Sequence, residues 1–119
     1  MEVKHGGIYL YEPPTVSGSE QAGLRPLIIV SRDIVNANKP TAVGVPLTTR
    51  MHKANSYRIA LPVAELIPDI GCTPFQNSVA LCDHVRVLDT GLIKKRIGRA
   101  SENALLSVGI GLAFVFDLR

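Results

Sequence analysis

The sequence predicts a mainly β protein: a small, strongly bent sheet or partly open barrel, followed by one C-terminal α-helix. Short runs of aliphatic and β-branched residues recur along most of the chain, and proline or glycine ends most of them. Only after Ser101 does the apolar spacing change to that of a helix. With 119 residues, 46% of them apolar, the chain suits one domain, residues 1–119, with one core.

Several segments have the composition and length of β-strands. The run at 27–30 is continuously apolar, which is typical of a strand buried on both faces. Residues 33–38 resemble a short helical turn or loop, 89–91 a turn, and 63–76 a long loop with two prolines and a glycine. The predicted strands are Gly7–Tyr11, Pro26–Ser31, Thr41–Leu47, Tyr57–Leu61 and a continuous stretch from Ser78 through Cys82 to Leu88.

The predicted helix begins after Ser101, which is a favourable N-cap, and Glu102 suits the positive end of the helix dipole. Gly109 and Gly111 weaken an isolated helix, so we expect this one to be packed against the sheet. The apolar residues at helical spacing are Leu105, Val108, Leu112 and Val115 or Phe116.

Composition limits the classes of function. Thirteen Lys and Arg against ten Asp and Glu leave a net charge of +3, compatible with a nucleic-acid partner but too small to demonstrate one. Cys72 and Cys82 lack the partners of a zinc site, and we interpret both as small buried residues in a reducing cytoplasm. Neither a signal peptide nor a membrane-spanning run is visible, and we expect no cofactor.

Three clusters of polar residues are candidates for chemistry. The first places Glu20, Gln21 and Arg25 in a glycine-flanked loop before a buried strand. The second ends a strand with the hydroxyls of Thr48 and Thr49, followed by the cation Arg50. A carboxylate near a guanidinium suits an anionic substrate that exchanges protons, such as a phosphodiester. A solvated loop with an incidental salt bridge, and hydroxyls that merely cap a turn, are the alternatives.

The third cluster is the run 82–86, which holds an acid, an imidazole and a guanidinium. As a strand, this run would direct Asp83 and His84 to opposite faces, so that the two would not pair. Further along, Lys94–Arg96 and Arg99 form a basic run, which we interpret as a solvated face rather than as a phosphate-binding surface.

The order of these motifs resembles the MazF/PemK (Kid) toxins of bacterial toxin–antitoxin systems. The resemblance covers nearly the whole chain, and chance does not readily place so many motifs in one order. The matching stretches are Gly6–Tyr9, Gly18–Gln21 with Arg25–Pro26, Ile29–Ser31 with Asp33 and Asn36, Val45–Thr49, Ser78–Asp83 with Arg86 and Asp89, and Arg96–Arg99 with the helix after Ser101.

The resemblance implies an SH3-like barrel of the CcdB/PemK type, a homodimer, and metal-independent cleavage of single-stranded RNA. It also implies a cognate antitoxin that covers the RNA site with a flexible segment. Carried over by position, Arg25 and Thr48 are the central catalytic pair, and Glu20 assists them. The residues implied in RNA binding are Ser19, Gln21, Asn36, Thr49 and Asp83.

The chain also departs from the family pattern. Leu81 stands where some relatives place a catalytic arginine, Val87 replaces a common threonine, and the 63–76 loop is long. Two alternatives to a nuclease therefore remain: a non-catalytic toxin of the CcdB type, which shares the fold and poisons DNA gyrase by protein contact, and an inactive relative.

Overall fold

The computed structural model of the chain describes residues 2–13 and 23–118. Within these ranges it contains eight strands, two α-helices and four short 3₁₀ turns, which lie at Met51–Lys53, Val63–Glu65, Cys82–His84 and Thr90–Leu92. The helices are α1 (Asp33–Asn36) and α2 (Glu102–Phe116). The strands are β1 (Gly7–Tyr11), β2 (Arg25–Ile29), β3 (Thr41–Thr48), β4 (Arg58–Leu61), β5 (Leu66–Pro68), β6 (Ser78–Leu81), β7 (Arg86–Asp89) and β8 (Ile93–Ala100).

The described strands form one antiparallel sheet in the order β4-β6-β3-β2-β1-β8-β5, with β7 also paired to β3. Strand β3 is therefore shared: β2 pairs with it on one side, while β6 pairs with its C-terminal half and β7 with its N-terminal half on the other. The sheet curls into a half-barrel with β4 and β5 at its edges, which confirms the predicted mainly β, partly open barrel.

Two apolar cores occupy the two faces of the sheet. The first lies between the sheet and α2, and the second lies on the opposite face, lined largely by alternate residues of the same strands. The fully buried run at 27–29 contributes to both, as its continuous apolar sequence predicted. The first core includes Ile8, Ile28, Val45, Leu47, Ala104 and Val108, and the second Tyr9, Tyr11, Leu27, Ile29, Ala42, Leu88 and Ile93.

The predicted C-terminal helix is confirmed, as is its N-cap. The Ser101 hydroxyl oxygen accepts a hydrogen bond from the Ala104 amide at 3.0 Å, and the same hydroxyl donates to the Glu65 carboxylate. Asp117, in the left-handed conformation, ends the helix. No helix in the described part of the chain has the length and apolarity needed to cross a membrane.

The two cysteines differ in their surroundings. Cys82 is fully buried beneath α2, and burial raises the pKa of its thiol to about 11, so it stays protonated at neutral pH. The expectation of a small buried residue is confirmed for Cys82. Cys72 is only half-buried, so the same expectation is not met there.

Two strands were missing from the sequence-based assignment. The basic run is part of β8, which pairs with both β1 and β5, and the predicted long loop contains β5. In β8 the exposed side chains include Lys94, Lys95 and Arg99, so the composition is that of a solvated segment although the backbone lies within the sheet. Strand β5 is only three residues long and lacks a recognisable alternation.

The stretch from Ser78 to Leu88 is also not one strand. The 3₁₀ turn Cys82–His84 divides it into β6 and β7, which pair with different halves of β3. The stretch is apolar on both sides of this turn and contains no glycine or proline, so the sequence pattern did not reveal the turn.

The two glycines of α2 provide a matched test of its packing. A Cβ at Gly111 would lie 2.7 Å from Cys82 Sγ, whereas a Cβ at Gly109 would have no neighbour within 4 Å. We expect Gly109→Ala to stabilise the protein by up to about 1 kcal/mol through helix propensity. Gly111→Ala should cost about 1–3 kcal/mol through overpacking.

Urea unfolding of both variants measures the difference. Because the two positions share a helix and a substitution, equal effects would contradict the close contact between α2 and the Cys82 turn.

Candidate functional site

The strand register brings Arg25 and Thr48 together. Tyr11 of β1 lies opposite Arg25 of β2, and Leu27 of β2 lies opposite Pro46 of β3. Continuing the second register by two residues places Arg25 opposite Thr48. Directly opposed residues of antiparallel strands project from the same face, with Cβ atoms about 5 Å apart. The two residues therefore occupy one cross-strand row on the face of the second core.

This row opens into a cleft with a volume of about 370 Å³. Four of its described lining residues carry permanent positive charge, and the described lining contains no Asp or Glu. A concave site of this composition attracts anions, and its arginines can hold a phosphate through paired hydrogen bonds. The lining residues are Tyr11, Pro13, Arg25, Pro46, Leu47, Thr48, Arg50, Lys53, Leu81, His84 and Arg86.

Besides Arg25 of β2, two further elements supply the charges that surround Thr48. Arg50 and Lys53 come from the turn that follows β3, and Arg86 opens β7, where it pairs with Gly44 of β3. The Thr48 hydroxyl oxygen accepts a hydrogen bond from the Arg50 amide at 3.3 Å. A hydroxyl can donate while it accepts, so this bond still allows Thr48 to donate its proton into the cleft.

An ion pair joins β4 to the turn Cys82–His84, whose His84 lines the cleft. Arg58 Nη2 lies 2.8 Å and Arg58 Nε 3.0 Å from the two carboxylate oxygens of Asp83. The guanidinium holds the pKa of this carboxyl below its ordinary value of 3.8, chiefly through these hydrogen bonds. Asp83 is thus a paired, ionised carboxylate and does not line the cleft.

The expectation that Asp83 and His84 face away from each other was wrong. The expectation assumed a strand, but the 3₁₀ turn brings His84 Nε2 to 3.8 Å from Asp83 Oδ2 and 3.5 Å from Arg58 Nη2. A strand alternates its side chains, whereas a tight turn does not, so adjacent residues can meet.

Asn36 and Thr49, the other predicted RNA-binding residues that the structure describes, do not line the cleft. Asn36 is buried and lies beyond the other end of β2, where its amide donates to the Ser31 carbonyl at 3.0 Å and its oxygen accepts from the Ser31 hydroxyl. Thr49 is exposed next to Thr48 without lining the cleft. The predicted residues Ser19, Glu20 and Gln21 lie outside the described residues.

Four basic residues of the cleft were not assigned a catalytic or RNA-binding role from the sequence: Arg50, Lys53, His84 and Arg86. His84 and Arg86 belong to the third polar cluster of the sequence, and Arg50 directly follows the two threonines. Their spacing along the chain carries no sign of convergence, because strand pairing brings them together. Among the described residues, no three His, Cys, Asp or Glu side chains cluster as metal ligands do.

The ion pair predicts a pH-dependent stability. A carboxyl whose pKa is lowered by folding adds stability above its unfolded pKa, and this contribution disappears as the pH falls through the folded pKa. For Arg58→Gln we expect a loss of unfolding free energy at neutral pH that shrinks as the pH falls below 3.8.

Urea titrations of parent and variant at neutral and acidic pH test this expectation. Arg99→Gln, at an exposed position of β8, is the control and should show no such trend. A loss in Arg58→Gln that does not change with pH would contradict the electrostatic role of the pair.

Comparison with known proteins finds a family model, described as PemK-like, MazF-like toxin of type II toxin-antitoxin system, that matches residues 4–116. Endoribonuclease MazF of Staphylococcus saprophyticus is 29% identical over 106 residues, covering 89% of this chain and 84% of the relative.

Solved structures show the same fold. A MazE-MazF structure from Deinococcus radiodurans superposes with a TM-score of 0.78 at 21% identity, covering 100% of this chain and 99% of that one. The Mycobacterium tuberculosis toxin MazF-mt6 gives a TM-score of 0.71 at 18% identity, covering 95% and 98%.

Proposed function

Because the chain belongs to the family of PemK-like, MazF-like toxins of type II toxin-antitoxin systems, we propose that it is an endoribonuclease that cleaves single-stranded messenger RNA at specific sequences. The observation that carries the proposal is the placement of Arg25 and Thr48 in one cationic cleft. Similarity to a relative named endoribonuclease supports the same reaction class.

The cleft suits a phosphodiester in its charge and in its donors. The permanent cations among its described residues, Arg25, Arg50, Lys53 and Arg86, attract an RNA backbone. The cleft is lined by the C-terminal end of β3 and by the turn after it, and in this proposal a single strand passes along both. In this proposal Arg50 and Lys53 hold flanking phosphates, while Arg25 and Thr48 hold the phosphate that is cleaved.

The proposed reaction needs no metal ion. The 2′-hydroxyl attacks the adjacent phosphorus, which leaves a 2′,3′-cyclic phosphate and a 5′-hydroxyl. A guanidinium group is a poor proton acceptor, so the role of Arg25 is to clamp the phosphate and stabilise the oxyanion. Thr48 donates a further hydrogen bond to a phosphoryl oxygen, and Glu20 accepts the proton of the 2′-hydroxyl.

A partner of opposite charge fits the same cleft. Solved structures of the family include MazE-MazF complexes from Deinococcus radiodurans. For this chain we propose a cognate antitoxin whose flexible acidic segment covers the cationic cleft and excludes RNA. We also propose that the protein acts in the cytoplasm, where Cys72 and Cys82 remain reduced thiols.

We further propose that the protein is a homodimer and that α2 forms part of the interface. Leu106, Ile110 and Phe114 follow one another at intervals of four residues, and 68%, 69% and 59% of their surfaces are exposed. This stripe carries no charge that would repel a second copy.

Arg25→Ala and Thr48→Ala test the proposed nuclease. Each removes one group that stabilises charge on the phosphate, and we expect cleavage of a single-stranded oligonucleotide to slow about 100-fold or more. The assay is run in a chelator, and the expected product of the parent ends in a 2′,3′-cyclic phosphate. Arg32→Ala, at an exposed site before α1, is the matched control and should cleave at the parent rate.

A purified protein that leaves RNA intact but is toxic on expression would reject the nuclease. That outcome would favour a toxin that acts by protein contact, as CcdB-type toxins do.

Ile110→Asp tests the proposed dimer. A buried, unpaired carboxylate in the interface should convert the protein to a monomer in sedimentation experiments, since an uncompensated buried charge is strongly destabilising. Ile70→Asp, at a fully exposed position away from α2, is the control and should remain dimeric. A parent that sediments as a monomer would reject the dimer.

A further inference from the structure

We propose that His84 donates the proton to the leaving 5′-oxygen when the protein cleaves RNA. The inference rests on the proposed nuclease and adds to it a residue that the family resemblance does not supply. It also separates two roles, because Arg25 then stabilises charge and transfers no proton.

The composition of the cleft carries the inference. Cleavage expels an alkoxide, which needs a proton from a group that can lose one near neutral pH. The guanidinium groups of the cleft do not lose their protons, and an ordinary lysine or tyrosine titrates near pH 10. Imidazole is the side chain that ordinarily changes charge between pH 5 and 8. Among the described lining residues, His84 alone has this chemistry.

One ring nitrogen of His84 faces the ion pair. Asp83 Oδ2 lies 3.8 Å and Arg58 Nη2 lies 3.5 Å from His84 Nε2. Arg58 is itself bound to Asp83, and Arg86 contacts the carbonyl rather than the ring of His84. Since Nε2 faces this ion pair, we assign the transferred proton to Nδ1. Asp83 is then a positioning residue that orients the ring.

The proton balance is complete. The 2′-oxygen forms a bond to phosphorus and its proton passes to the base, for which Glu20 is proposed. The bond between phosphorus and the 5′-oxygen breaks, and that oxygen takes the proton from the His84 imidazolium. Neutral His84 then regains a proton from solvent, and no oxidant, reductant or metal ion takes part.

The test compares two substrates that differ in one atom. A normal oligonucleotide is set against one in which sulfur replaces the 5′-oxygen at the cleaved position. Thiolate leaves without a proton donor, since a thiol is a far stronger acid than an alcohol. We expect His84→Gln to slow the normal substrate about 100-fold or more and the sulfur substrate by less than about threefold. Arg25→Ala should slow both substrates alike.

The control is His5→Gln, which changes an exposed histidine at the opposite end of β1 and should leave both rates unchanged. The pH profile is a second readout: the alkaline decline of the parent rate should disappear in His84→Gln.

Equal slowing of both substrates by His84→Gln would overturn the proposal, since it would assign His84 to binding alone. An unchanged rate on the normal substrate would also overturn it. A parent that cleaves neither substrate would reject the proposed nuclease itself. If the parent cleaves both substrates and His84→Gln cleaves them at the same rates, only the role of His84 is rejected.

Discussion

Backbone pairing along β3 is the constraint on which the cleft depends. This strand pairs with β2 through Leu27 and Pro46 and with β6 through Thr48 and Val79. Because the side chains of a strand alternate, a shift of one residue in either pairing would direct Thr48 or Arg25 to the opposite face. The buried residues of the two cores prevent that shift, so apolar packing fixes the position of the polar row.

Charge is distributed unevenly between the cleft and its rim. The net charge of +3 is modest, yet the described lining of the cleft contains four permanent cations and no acid. The nearby Asp83 is bound to Arg58 and so does not neutralise the cleft itself. A weak overall charge can therefore coexist with a strong local field, and composition alone underestimates how well such a site attracts an anion.

The sequence predicted those elements whose pattern reflects their burial. Strands β1, β2 and β3 and helix α2 combine a clear apolar pattern with an end signal, such as Ser101 at the start of the helix. Strand β8 was missed because its exposed residues are lysines and arginines, although its backbone pairs on both sides. The turn that contains His84 was missed because it breaks a hydrophobic run without glycine or proline.

Arg25 and Thr48 could be named from the sequence because their neighbours resemble a family motif; Arg50, Lys53, His84 and Arg86 could not be placed beside them. They come from different elements, and no local rule relates them. The sequence by itself determined the fold class and the helix with its cap, since local propensity and periodicity encode these, and its resemblance to a family motif named two central residues of the proposed site. Only the tertiary structure decided the membership of the cleft and the pairing of Asp83, because both depend on strand register and on a turn that long-range packing selects.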